Sequence, residues 1–147
     1  EATKQWTRKT LIVYFSQSGN TKKIAEILQQ KTNGELLEIP EKEPVTDVPN
    51  MGEFDVIFVG APCWNYTAAT PVLNFLQQVD FCGKIMVPFD TDGGGEGNTI
   101  IDMGNAAKNA NVVPGPALHH VGRTRPNVLD KKIQTWIDSI QNKFKHF

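Results

Sequence analysis

The chain has 147 residues, 39% of them hydrophobic and 21% charged, and a formal net charge of −1. That is enough chain for a sizeable core, and the near-neutral balance supplies no field favouring nucleic acid or an anionic membrane. No apolar run approaches the roughly 18 residues a membrane span needs.

Residues Glu1–Lys9 are polar apart from Trp6 and are expected to form a flexible leader, with residues 10–147 as a single domain. Thr10–Phe15 is a continuous run of β-branched, aromatic and aliphatic residues, as expected for a parallel strand covered on both faces. It switches at once to Ser16-Gln17-Ser18-Gly19-Asn20-Thr21, after which Ile24, Ala25, Ile27 and Leu28 recur at helical spacing. The predicted order is therefore strand, hydroxyl-rich turn and helix, the helix running over Asn20–Lys31 and stopping at Asn33-Gly34. Glu35–Ile39 reads as a second strand at an edge. Pro40, Pro44 and Pro49 then resist both helix and strand, so this crossover is expected to lack a full helix.

Phe54–Gly60 is a second continuous apolar run and a central strand, followed by the loop Ala61–Ala69. Thr70 as N-cap with Pro71 at the first helical position opens the next helix. Lys84–Phe89 is the fourth strand, Asp90–Asn98 a glycine-rich loop, and Thr99–Ala110 a weaker helix. Ala117–Val121 is the expected fifth strand. Asn127 is expected to cap a last helix whose Leu129, Ile133, Trp136, Ile137, Ile140 and Phe144 share one face. Strands alternating with helices imply parallel βαβ units.

Ligands of open parallel sheets bind beyond the carboxyl ends of the strands. Three distinctive loops meet there. The first offers hydroxyls and backbone N–H groups at a helix start, a site suited to phosphate. The second carries Trp64 and Tyr66, which could cover a planar ring. The third carries Gly93, Gly94, Gly95 and Gly97, where backbone could approach a heterocycle's edge. Taken singly, each also has a plain structural reading: a capped helix start, a Trp tucked beside Pro62, a flexible turn. Asp90, Asp92 and Glu96 cluster near the third loop. His119 and His120 lie at a strand end, where alternation points them to opposite faces. The G-x-x-x-x-G-K-[ST] phosphate loop and the G-x-S-x-G elbow are absent, and the first loop has no Cys or Arg for phosphatase chemistry. No Cys/His spacing suggests zinc, so no metal and no catalytic residue is assigned.

SQSGNT with its helix, FDVIFVGAPCW, and FCGKIMVPFDTDGGG together resemble the flavodoxin family, most closely its short-chain members. The resemblance runs from Leu11 to about Ile140. It implies a flavodoxin-like three-layer α/β sandwich, with five parallel strands in the order 2-1-3-4-5 and the second crossover helix reduced or absent. It implies FMN as cofactor and electron transfer through the flavin to redox partner proteins or a small electron acceptor. Carried over, Ser16, Gln17, Ser18, Gly19, Asn20 and Thr21 would hold the phosphate. Pro62, Cys63, Trp64, Asn65 and Tyr66 would lie on one side of the ring, and Thr91, Asp92, Gly93 and Gly94 at its other edge. The third loop has no aromatic, which leaves an FMN-dependent NAD(P)H:quinone-type reductase as the alternative.

Cys63 and Cys82 fall at opposite ends of the predicted sheet, about 20 Å apart for strands of six or so residues at ~3.3 Å each. A disulfide needs Cα atoms within roughly 7 Å, so both thiols are expected to be free, in keeping with a cytoplasmic location. The sequence begins at Glu1 rather than Met, so removal of a signal peptide remains the other possibility. Thiol titration of the unfolded, unreduced protein should find both cysteines reactive; a count near zero would contradict this strand placement.

Overall fold

All five residues of β1 (Thr10–Tyr14) are buried, because the strand is flanked in the sheet and covered on both faces. The computed structural model describes residues 5–144. In it β1 pairs in parallel with β2 (Glu35–Glu38) on one side and β3 (Val56–Trp64) on the other. β3 pairs in parallel with β5 (Ile85–Asp92), and β5 carries the far edge. The expected 2-1-3-4-5 order is thus realised as β2-β1-β3-β5 followed by a divided last strand.

That division has a local cause. β6 (Asn111–Val112) and β7 (Ala117–His119) both run parallel to β5, separated by Pro114-Gly115-Pro116. Prolines have no N–H for the ladder and confine such breaks to edges. The expected strand Ala117–Val121 accordingly stops at His119. His120 turns into the left-handed region (φ 55°), and Val121–Arg123 forms a 3-10 turn.

The helices α1 (Asn20–Thr32) and α4 (Pro126–Lys143) cover one face of the sheet, where Ile24, Leu28, Ile133 and Ile137 pack on Ile12, Phe58 and Val87. The helices α2 (Thr70–Gln78) and α3 (Thr99–Ala106) cover the other, where Val72, Phe75, Leu76 and Met103 meet Val13, Ile57, Val59 and Met86. Each alternate residue of a central strand therefore feeds a different core. α4 starts at Pro126 after Arg125, without a side-chain cap, rather than from a capping Asn127. Thr70 is the first residue of α2 and not its cap. In both cases a proline near the helix start presets φ and removes an N–H that would need a partner.

The proline-bearing crossover between β2 and β3 contains only a 3-10 turn, Met51–Glu53, whose Gly52 N–H is accepted by the Asn50 side chain at 3.0 Å. Met51, Phe54 and half-buried Val45 fill that side of the core in place of a helix. Of the leader, residues 1–4 lie outside the described residues. Trp6 donates its indole N–H to the Thr10 hydroxyl at 2.7 Å, and its ring contacts Phe58 and Phe144. Cys63 and Cys82 are free thiols. No described helix is long and apolar enough to cross a membrane.

Gly60 sits opposite Phe89 in the β3–β5 register, and the Phe89 ring lies against its Cα before reaching Trp136. A Cβ at Gly60 would collide with three carbons at the tip of that ring. Gly60→Ala is expected to lower stability by about 1–3 kcal/mol through overpacking. Urea unfolding checks this, and a midpoint equal to that of the parent chain would contradict it.

Candidate functional site

The first turn is ordered from inside. The Ser16 hydroxyl accepts from the N–H groups of Gly19 and Lys22, each at 3.1 Å, so Ser16 braces the start of α1. Thr21 is buried, and its hydroxyl bonds the Thr91 hydroxyl of β5 at 2.6 Å. That bond ties the first turn to the end of a strand two places away in the sheet. Ser18 is exposed, and the described residues provide no acceptor for the backbone N–H groups of Ser18, Asn20 and Thr21. No acidic side chain stands in the first turn of α1. Unpaired N–H groups at the positive end of a helix dipole favour an anion.

The second loop differs from its sequence expectation. β3 runs on to Trp64 and folds back through Asn65-Tyr66 into β4 (Thr67–Ala68), an antiparallel hairpin beyond the parallel sheet. Both turn residues have positive φ, 50° and 68°, the geometry of a type I′ turn. Tyr66 holds a conformation that non-glycine residues seldom take, and its side chain is 80% exposed. The Tyr66 carbonyl accepts from Asn98 N–H at 2.6 Å, and Gly97 packs so closely on the Tyr66 backbone that no Cβ would fit there. The hairpin and the third loop are thus held together. Trp64 is half-buried, set edge-on to Phe15, with its indole N–H donated to the Gln17 side chain at 3.1 Å.

The third loop begins later than expected, because Asp90, Thr91 and Asp92 belong to β5. Gly94 N–H donates to Asp92 Oδ1 at 2.9 Å and shapes the turn that follows. A Cβ on Gly93, Gly94 or Gly95 would meet nothing, so this loop borders open space.

Together the three segments enclose a cavity of about 550 Å³, within the range of small-molecule and cofactor sites. From the first turn Gln17, Ser18 and Asn20 line it. Pro62, Cys63, Trp64, Asn65 and Tyr66 line it from the hairpin. Thr91, Asp92 and Gly93 line it from β5 and its loop, joined by Gly95. Ser16, Gly19, Thr21 and Gly94 are not among the lining residues and shape the turns by the hydrogen bonds and helix cap described above.

Two groups outside the cavity lining act on Asp92. His119 lies opposite Asp92 in the β5–β7 register, and its Nδ1 is 2.6 Å from Asp92 Oδ1. Its Nε2 is 3.7 Å from a Glu96 oxygen. His120 lies outside the strand, in the left-handed region, so strand alternation does not govern it, and only the register reveals the partner of His119. Asp92, Glu96 and His119 offer ligand atoms within 4.8 Å of one another. The Asp92–His119 contact is already a hydrogen bond, and Glu96 stands beyond it at ion-pair distance. Asp90, fully buried, is the second group; burial, with Asp92 beside it, pushes its carboxyl up to about 8. Burial also works against the Asp92 carboxylate, but Asp90, His119 and the Gly94 N–H outweigh it and hold that carboxyl below its ordinary range. Asp92 in turn raises His119.

A family model described as flavodoxin matches residues 43–140. A flavodoxin of Nostoc sp. is 24% identical over 89 residues, covering 58% of this chain and 52% of its own length. The chain spans about half the length of the curated relatives it matches. Among solved structures, a candidate flavoprotein from Bacteroides eggerthii is 26% identical with a TM-score of 0.74, covering 92% of this chain and 99% of its own. A flavoprotein in complex with FMN from Lactobacillus acidophilus is 24% identical with a TM-score of 0.66, covering 88% of this chain and 99% of its own.

Asp90 makes the stability of this edge depend on pH. Its folded value, about 8, lies above the ordinary 3.8. The folded chain therefore binds the proton more tightly, and stability falls as pH rises between those values. Asp90→Asn keeps the shape and removes the titration, so the fall should flatten. Urea unfolding of both proteins from acid to alkaline pH checks this; identical slopes would contradict it.

Proposed function

This chain belongs to the flavodoxin family, and we propose that it binds FMN at the carboxyl edge of its sheet and passes electrons between redox partners. The observation that carries the proposal is the meeting of unpaired N–H donors and a Trp64-lined cavity at one sheet edge. The residues present fit the group. The N–H groups of Ser18, Asn20 and Thr21, with the Ser18 hydroxyl, suit a phosphate and need no lysine. Pro62 and Trp64 supply an apolar wall for a planar ring, and Gly93–Gly95 leave its opposite edge unobstructed. Bound FMN would supply reversible uptake and release of electrons.

The chain's own residues would do the rest. Phe15 and Gln17 fix the Trp64 ring, so its orientation costs little on binding. The Thr21–Thr91 bond holds the phosphate end and the ring end of the cavity at a constant separation. Asp92 keeps a negative charge at the cavity wall, which disfavours added electrons by Coulomb repulsion. The open glycine loop favours a second reading, in which a small acceptor such as a quinone reaches the ring and the protein acts as an NAD(P)H-dependent reductase.

Absorption titration of the purified protein with FMN tests the cofactor, and absence of any spectral change would contradict it. Turnover of the loaded protein then separates the two activities. No NADPH oxidation without a reductase partner is expected for the carrier, whereas steady oxidation by the protein alone would contradict that role. Asp92→Asn should raise the reduction potential of the loaded protein, measured by spectroelectrochemistry. An unchanged or lowered potential would count against the assigned position of Asp92.

A further inference from the structure

Beneath the glycine loop four oxygens are sealed from solvent with no partner. They are both carboxyl oxygens of Asp90, Oδ2 of Asp92 and the Thr99 hydroxyl. Strand alternation puts Asp90 and Asp92 on the same face of β5, and Thr99 opens the helix covering that face. Asp92 and Thr99 both stand next to Asp90. Two ionised carboxylates and one hydroxyl bring a single proton to this group, too few to satisfy four acceptors. Buried polar groups left so are costly, and a second uncompensated buried charge costs more. One added proton would complete the set: an O–H on Asp90 could donate to Asp92 Oδ2, and the Thr99 hydroxyl, turned toward Asp90, could serve its other oxygen. The remaining Asp92 oxygen already accepts from His119 Nδ1 at 2.6 Å and Gly94 N–H at 2.9 Å. The His119 side chain is 45% exposed and reaches solvent.

We propose that Asp90 and Asp92 hold one proton in common, exchanged with solvent through His119, and that this pair couples proton uptake to electron uptake in the neighbouring cavity. The second clause rests on the electron-carrying function proposed above; the first stands without it. The charged and titratable surroundings are few. β3 presents Ala61 opposite Asp90, with the Cys63 thiol beyond it. β7 presents Ala117 and then His119. The third loop contributes Glu96, which with Asp92 favours protonation of Asp90. On α3, Asp102 is engaged by the Thr67 hydroxyl. From α4, Lys132 acts on His119 and opposes its protonation.

With one proton the pair carries one negative charge, and on losing it carries two. An electron leaving a reduced donor and arriving in the cavity adds negative charge beside Asp92. At alkaline pH, where the pair has given up its proton, the balancing event is one proton drawn from bulk water through His119, forming an O–H bond on the doubly ionised pair. Donor oxidation, cavity reduction and proton uptake then balance one for one.

Infrared spectroscopy of the full chain without cofactor tests the first clause. A protonated-carboxyl band should persist at neutral pH, disappear under alkaline conditions and be missing from Asp90→Asn. Thr99→Val should shift the band by removing its hydrogen-bond donor, and the parent chain alone decides the question if the variants fail to fold. No such band at neutral pH, a band unaffected by Asp90→Asn, or stoichiometric binding of calcium or manganese by the same oxygens would overturn the shared proton. In the FMN-loaded protein the reduction potential should fall more steeply with pH across the range where the band is lost, and Asp90→Asn should remove that added slope. A slope left unchanged by Asp90→Asn over that range would overturn the coupling. A chain that shows the band yet takes up no FMN would refute the cofactor and the coupling together, and leave the shared proton standing.

Discussion

The structure depends on covering both faces of its central strands. β1 and the main lengths of β3 and β5 are buried between two helical layers, so their side chains are committed to packing. Parallel sheets are stable chiefly under that double cover. Polar chemistry is then displaced to where the strands end, and the right-handed crossovers bring those ends to one edge. The cavity follows from this constraint. Its walls are the segments that leave β1, β3 and β5 at their carboxyl ends, held together by the Thr21–Thr91 bond and by the Asn98–Tyr66 contact.

The elements that follow from one-dimensional patterns were legible in the sequence. Continuous apolar runs identify central strands, period-3.6 faces identify helices, and a prolyl crossover lacks its helix, all because each signal is local. The hairpin at Trp64–Thr67 was not legible, since Asn65-Tyr66 carries no glycine to announce a type I′ turn. The split last strand was half visible: Pro114 and Pro116 mark the break, but the pairing of Asn111–Val112 with β5 appears only in the register.

The same distinction holds for the site. Ser18, Asn20, Trp64 and Asp92 were recognisable from residue type and position, and Gln17 from the family resemblance, and they do line one cavity. His119 was not, because its meaning comes from standing opposite Asp92 on a strand remote in sequence. Asp90 was visible as an acid but not as a buried one; strand alternation shows which face it takes, and only packing shows that α3 closes over it. Ser16 and Thr21 are a related case. Their hydroxyls, expected at the ligand, also stabilise the turn from within, which only the folded contacts show.

A local anion site and a local aromatic wall become one cofactor site only if a single molecule spans them. Backbone and indole N–H resonances followed by NMR during titration with FMN, and separately with riboflavin, test this most directly. With FMN, the amides of Ser18, Asn20 and Thr21 and the Trp64 indole should shift together. With riboflavin, which lacks the phosphate, the Trp64 end alone should respond and binding should be weaker. Equal affinity for the two ligands, or shifts confined to another part of the chain, would contradict the account.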